Sequence, residues 1–182
     1  MAFDEQTAVL AVDFQNGIFA PGEHRVHAAE DILERAAALL NAARLAGVPT
    51  FHFQDDAGPG LWAPDTPEWE IHHRVSPADP ALVLRKKFGD AFRGTPLDDE
   101  LRRLHVSHLV ILGAMTDFSI RATLQRALLR GYRVTLVEDA HSTLDEFDAP
   151  AVEHVRVLND EVRASAARSL PVQLKPAAAF FD

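Results

Sequence analysis

No cysteine occurs among the 182 residues. Disulfides, thiolate metal sites, iron–sulfur ligation and a cysteine nucleophile are therefore excluded for the chain as it stands. Long apolar runs are missing too: none approaches the roughly 18 residues that a membrane span requires. There is no surplus of positive charge. Lys and Arg number 18 against 27 Asp and Glu, a net charge of −9, which argues against nucleic acid or an anionic membrane as the main partner. The beginning, Met1-Ala2-Phe3-Asp4-Glu5, has no basic region ahead of an apolar one, so no signal peptide is expected and the cytoplasm is the expected location. Internal repeats, low-complexity segments and Gly-rich phosphate loops are also lacking.

What is present is ordinary for a folded domain: 47% hydrophobic and 25% charged residues. The length predicts a single domain over 1–182, large enough to bury a core without a metal or disulfide. Thr7 to Val12 is a continuous apolar run that predicts a strand buried on both faces. From His27 to Ala46 the apolar residues Ile32, Leu33, Ala36, Leu39, Leu40 and Ala43 recur at helical spacing, and Gly47 and Pro49 provide a stop. Strands are predicted at 48–54, 81–86, 108–115, 133–137 and 170–174, and helices at 96–104, 117–130 and 152–167. Residues 55–80 crowd Asp, Gly and Pro and keep no regular period beyond a short piece at Trp69–Ile71. A loop of that length reads as a functional loop or lid, or as a solvated excursion. Strands alternating with amphipathic helices give an α/β fold, a three-layer α-β-α arrangement around a mainly parallel sheet of about six strands.

In such sheets ligands bind beyond the carboxyl ends of the strands, where the strand order reverses. Asp13 closes the first strand, Lys86 the third, and Ser119 falls in the first helical turn after the fourth. Each has an ordinary explanation alone: a carboxylate satisfying loop amides, a solvated lysine, a capping hydroxyl. Together they put an acid, a cation and a hydroxyl on one rim. The start of a helix favours a developing negative charge. A thiolate gains most there, because its ordinary pKa of about 8.5 can be drawn below neutrality. A serine hydroxyl needs a real base.

At these residues the sequence resembles the isochorismatase-like hydrolase superfamily of cysteine hydrolases, Rossmann-like in fold. The resemblance runs from about residue 7 to 174. It rests on Ala-Val-Asp13-Phe-Gln-Asn-Gly-Ile-Phe, on Lys86 followed by Gly-Asp-Ala-Phe92-Arg-Gly-Thr, on Gly113-Ala-Met-Thr-Asp-Phe-Ser119, and on Ala127-Leu-Leu-Arg-Gly-Tyr-Arg-Val-Thr-Leu-Val-Glu-Asp-Ala-His141. Leu61 to His72 is more like the amidase branch near streptothricin hydrolase than like nicotinamidases. The resemblance implies a triad of Asp13 as base, Lys86 as supporting cation and position 119 as nucleophile. It also implies a non-proline cis peptide joining Ala114 to Met115, and an oxyanion hole from the amides of Met115 and residue 119. The activity implied is cleavage of a C–N amide or carbamoyl bond of a small molecule. Self-association as a dimer or larger homo-oligomer is implied as well.

The sequence departs from that family at the nucleophile, where Ser119 stands in place of cysteine. An engineered replacement and a natural variant both fit. The rival readings are an isochorismatase-type vinyl ether hydrolase, in which a thiol is not needed, and a non-catalytic binder that has kept the fold. A Ser–His–Asp hydrolase is disfavoured, since Ser119 lacks the Gly-x-Ser-x-Gly elbow. His141, read as a loop residue after the fifth strand, is the one histidine that could serve it. A substrate pocket is predicted from Phe14, Phe19, Trp62, Phe92 and Phe118, with Gln15 as a polar handle. No metal or cofactor is expected: Gln54-Asp55-Asp56 lacks the histidine that nicotinamidases carry there, and the adjacent His72 and His73 would point to opposite faces of an extended segment. Phe180 and Phe181 are expected as exposed aromatic surface unless something covers them.

Overall fold

Thr7–Val12 forms β1, buried at every residue, as its unbroken apolar run requires of a strand covered on both faces. A computed structural model describes this chain over residues 3–56, 58–60, 63–79, 82–145 and 149–181. After β1 come a short helix α1 (Asn16–Phe19), α2 (Ala29–Leu45), β2 (Thr50–Asp55), β3 (Val83–Lys86) and α3 (Leu97–Arg103). The second half holds β4 (His108–Ala114), a π turn (Thr116–Ile120) running directly into α4 (Arg121–Leu129), β5 (Arg133–Ser142), α5 (Ala151–Ala167) and β6 (Val172–Lys175).

The six strands make one sheet in the order β3-β2-β1-β4-β5-β6, with all neighbours parallel. The chain lays down three strands outward from β1, then returns to β1's other side for the remaining three. The reversal lies between β1 and β4, so the ligand crevice of such a sheet belongs at their carboxyl ends.

Alternation along the central strands splits the core in two. Val9 and Ala11 of β1 and Val110 and Leu112 of β4 pack against α2 through Leu33, Ala36 and Leu39. Leu10, Val12, Leu109 and Ile111 face the other way, onto Leu97 and Leu101 of α3, Leu124 of α4 and Leu158 of α5. Fully buried leucines such as Leu33 and Leu39 stabilise the fold by about 1.5–3 kcal/mol each. Among the described residues no helix is long and apolar enough to cross a membrane.

The boundaries depart from the sequence reading in informative places. β5 runs on to Ser142 through an irregularity in its pairing with β4, so His141 is a strand residue and not a loop one. The predicted 117–130 helix opens as a π turn. The long loop keeps one antiparallel bridge, Gln15 to Ile71, and a 3-10 turn at His73–Val75. Phe180 is buried because Phe3 lies against it with ring centroids 5.1 Å apart, while Phe181 stays exposed.

Candidate active site

The chain leaves β1 at Asp13 with φ of 53°, a left-handed conformation that Asp tolerates better than most L residues. The Asp13 amide still donates to the Phe53 carbonyl of β2 at 3.2 Å, so the turn is anchored to the sheet. On β2, Phe51, Phe53 and Asp55 share a face by the twofold period of a strand. The register pairs Asp55 with Lys86, the last residue of β3. The Lys86 side chain is wholly buried and reaches Asp13 Oδ2 at 2.7 Å and Asp55 Oδ2 at 3.0 Å. Its Nζ also donates to Ser119 Oγ at 3.2 Å. An ammonium has three N–H groups, and three acceptors stand around this one.

The other Asp13 oxygen, Oδ1, is buried and has no hydrogen-bond partner among the described residues. A cavity of about 40 Å³ opens beside it, lined by Asp13, Asp55, Met115, Phe118 and Ser119. Burial pushes the Asp13 carboxyl up to about 6. The Lys86 ammonium opposes that rise and the negative charge of Asp55 adds to it. Burial works against the Lys86 charge, but the two carboxylates outweigh it and hold the ammonium above its ordinary range. A carboxylate whose pKa is raised toward neutrality, with a bare oxygen facing a cavity, is able to take up and return a proton.

The turn that carries Ser119 is fixed from below. Gly113 has φ of +125°, and a Cβ there would stand 2.0 Å from the Val12 carbonyl oxygen, so only glycine lets β4 end this close to β1. One bond further on, the Ala114–Met115 peptide is cis. Thr116 then meets buried His141, with Oγ1 and Nδ1 2.9 Å apart. Asn159 of α5 donates through Nδ2 to the Glu138 carbonyl, so its Oδ1 accepts from His141 Nε2 at 3.0 Å. His141 Nδ1 therefore carries the lone pair and accepts from Thr116. Burial lowers the His141 pKa to about 4, which keeps the ring neutral. His141 supports the turn from its underside, with both ring nitrogens engaged by Thr116 and Asn159 and neither left to act on Ser119.

The structure thus gathers Asp13, Lys86 and Ser119 into one cluster. It distributes the expected pocket residues differently. Phe118 lines the cavity and is 54% exposed; its ring lies over Gly89, where a Cβ would come within 3.1 Å of it. Phe14 and Phe19 pack on each other at 4.9 Å within the core beneath α2. Phe92 is buried in the opposite core, stacked on Tyr132. Gln15 is fully buried and its amide is consumed by main chain: Nε2 donates to the Asp55 and Trp69 carbonyls, and Oε1 accepts from the Asp55 amide. It is a tether for the 66–72 segment and offers no free polar handle. Trp62 lies outside the described residues. Trp69 is buried under the Arg85 guanidinium, 4.5 Å from its ring.

Sequence reasoning passed over Asp55. The strand-end rule that singled out Asp13 and Lys86 applies to it equally, but the second strand was predicted to stop at Gln54, one residue short.

Residues 7–167 match the isochorismatase domain family. A streptothricin hydrolase of Streptomyces noursei is 40% identical over 146 residues, covering 80% of this chain and 58% of the relative. An N-carbamoylsarcosine amidase of Arthrobacter is 28% identical over 153 residues, covering 73% of this chain and 58% of the relative. The chain thus spans a little over half the length of these curated relatives. Among solved structures, an isochorismatase from Pseudomonas putida superposes with a TM-score of 0.83 at 28% identity, over 96% of this chain and 90% of that one. The match reaches from the first strand through the last long helix and takes in every residue of the charged cluster, and on that basis the chain belongs to the isochorismatase family.

Proposed function

We propose that this protein is a hydrolase of C–N bonds, acting on an amide or carbamoyl group of a small molecule through Asp13, Lys86 and the side chain of residue 119. The observation that carries the reading is the fully buried Lys86 ammonium bridging the Asp13 carboxylate at 2.7 Å and the Ser119 hydroxyl at 3.2 Å.

The chemistry is clearest for a thiol at position 119. Asp13 takes the thiol proton while Lys86 balances the resulting negative charge. The sulfur attacks the carbonyl carbon, a C–S bond forms, and the carbonyl electron pair moves to oxygen, where the amides of Met115 and residue 119 receive it. The pair then returns, the C–N bond breaks, and Asp13 gives its proton to the leaving amine. Water attacks the acyl–sulfur intermediate and yields a proton to Asp13, the C–S bond breaks to release the acid, and Asp13 returns the proton to the sulfur. With serine the same steps need an alkoxide. A carboxylate with a pKa of about 6 is a poor base for that task, so turnover falls by several powers of ten.

The test is Ser119→Cys assayed by amine or ammonia release on a panel of primary amides, N-carbamoyl compounds and cyclic amides. The variant is expected to exceed the parent at least about a thousandfold on some member. A thiol variant inert across the panel, beside a parent active on a different bond class, overturns the reading.

A further inference from the structure

Lys86 cannot reach Asp13 without crossing the strand between them. In the order β3-β2-β1, two strand spacings of about 4.8 Å each separate the main chains of β3 and β1. The residue that β2 presents at the crossing is Asp55, the register partner of Lys86. Its carboxylate meets the ammonium at 3.0 Å while the ammonium also meets Asp13 at 2.7 Å and Ser119 Oγ at 3.2 Å.

From this geometry we infer that Asp55 is a positioning residue: it holds the Lys86 ammonium midway along its path, so that one N–H faces Asp13 and another faces the reacting atom of residue 119. Without it the ammonium is free to swing onto both oxygens of Asp13 and leave residue 119. Asp55 also sets the charge of the cluster. Its negative charge adds to that of Asp13 beside one ammonium, and a further anion at position 119 forms against it.

The main chain of Asp55 does not depend on its carboxylate. Its amide and carbonyl are bonded by Gln15, so a change of side chain leaves the strand end in place. The kinetic part of the inference rests on the proposed hydrolase activity; its electrostatic part does not.

The chain has no cysteine, so in Ser119→Cys the single thiol reports on position 119 alone. Iodoacetamide alkylation of the full-length protein against pH gives the thiol's ionisation midpoint without any need for turnover. Adding Asp55→Asn removes the charge but keeps an acceptor oxygen, and the midpoint is expected to fall by about one pH unit. On an amide that Ser119→Cys hydrolyses, Asp55→Asn retains kcat within about tenfold and moves the acid limb of kcat/KM downward by a similar amount. Asp55→Ala loses at least about thirtyfold in kcat with KM within about threefold. A midpoint that stays within about 0.2 pH unit in Asp55→Asn overturns the inference, and so does an Asp55→Ala variant with unchanged kcat. If Ser119→Cys hydrolyses nothing, the hydrolase reading fails while the alkylation midpoint still decides the placement of Asp55: a fall supports it and no shift overturns it. Should Asp55→Ala not fold, the isosteric Asp55→Asn decides between the same two outcomes through its midpoint.

Discussion

Two polar clusters stand at opposite ends of the same sheet, and they are built on opposite principles. At the amino ends, Gln173 Nε2 donates to Thr135 Oγ1 at 2.9 Å, and Thr135 meets His108 Nε2 at 2.8 Å. His108 Nδ1 meets Thr7 Oγ1 at 3.1 Å, and Thr7 donates to Asp4 at 2.7 Å. Each hydroxyl accepts one hydrogen bond and donates one, and the His108 ring accepts at Nε2 and donates from Nδ1, so the chain runs in one direction across four strands with His108 neutral, its pKa lowered first of all by burial. At the carboxyl ends, an ammonium and two carboxylates are packed together, and one oxygen of Asp13 is left over. A cluster that only joins strands has no reason to hold net charge or an unused acceptor, since both cost stability. The difference separates a seam from a site.

The charged end of the sheet is most sensitive at Lys86. In the Ser119→Cys background, Lys86→Met is expected to lower kcat/KM by at least about a thousandfold. It should also cost about 3–5 kcal/mol of stability by urea unfolding, because two buried carboxylates lose the cation that bridges them. The loss should be larger at pH 8 than at pH 5, where the pair can share a proton. Equal losses at the two pH values would contradict the charged description.

Asp13 gives the next largest effect. Its folded pKa of about 6 lies above the ordinary 3.8, so its contribution to stability is full below about pH 4 and is lost as pH rises through 6. Buried His52 and His141, both lowered from 6.5 to about 4, act in the opposite sense: their contribution is full above 6.5 and is lost as pH falls through 4. The two trends partly cancel between pH 4 and 6. Asp13→Asn removes one of them, and urea-derived stability should then climb more steeply with pH across that window, by about 1.4 kcal/mol per pH unit at most. An unchanged or shallower slope counts against the assignment.

At the amino end, His108→Phe leaves the Thr7 and Thr135 hydroxyls without their shared partner and should cost about 1–3 kcal/mol, with kcat of Ser119→Cys within about twofold. A large loss of activity there would erase the distinction between the two clusters. Phe118→Ala should be the mildest change: stability within about 0.5 kcal/mol, as for an exposed side chain, with KM raised several-fold for a substrate that enters past Phe118.

Periodicity and strand ends made the alternating architecture readable, together with three of the four members of the charged cluster. They failed where a side chain's role is decided by a distant partner. Glu138 and Asp139 interrupt an apolar run and suggest the end of a strand. In the structure the strand continues because Arg163 pairs with Glu138, and Arg35 and the Ala177 amide take up Asp139. That continuation is what buries His141. Phe14 and Phe19 look identical to pocket aromatics in the sequence, since lining a cavity and filling a core ask for the same apolar surface. Phe180 finds its cover at Phe3, at the other end of the chain. Asp55 escaped for a smaller reason, a one-residue error in the end of β2.

Gln15 has a broader consequence. Its primary amide imitates a peptide unit, presenting one acceptor and two donors to the backbones of two neighbouring segments. Because it grips main-chain atoms, the grip itself does not depend on the side chains of the residues held. The exposed positions of the 66–72 segment, such as Glu68 and Glu70, are thus free to exchange their side chains over evolutionary time while the path of the backbone beside the end of β2 is preserved.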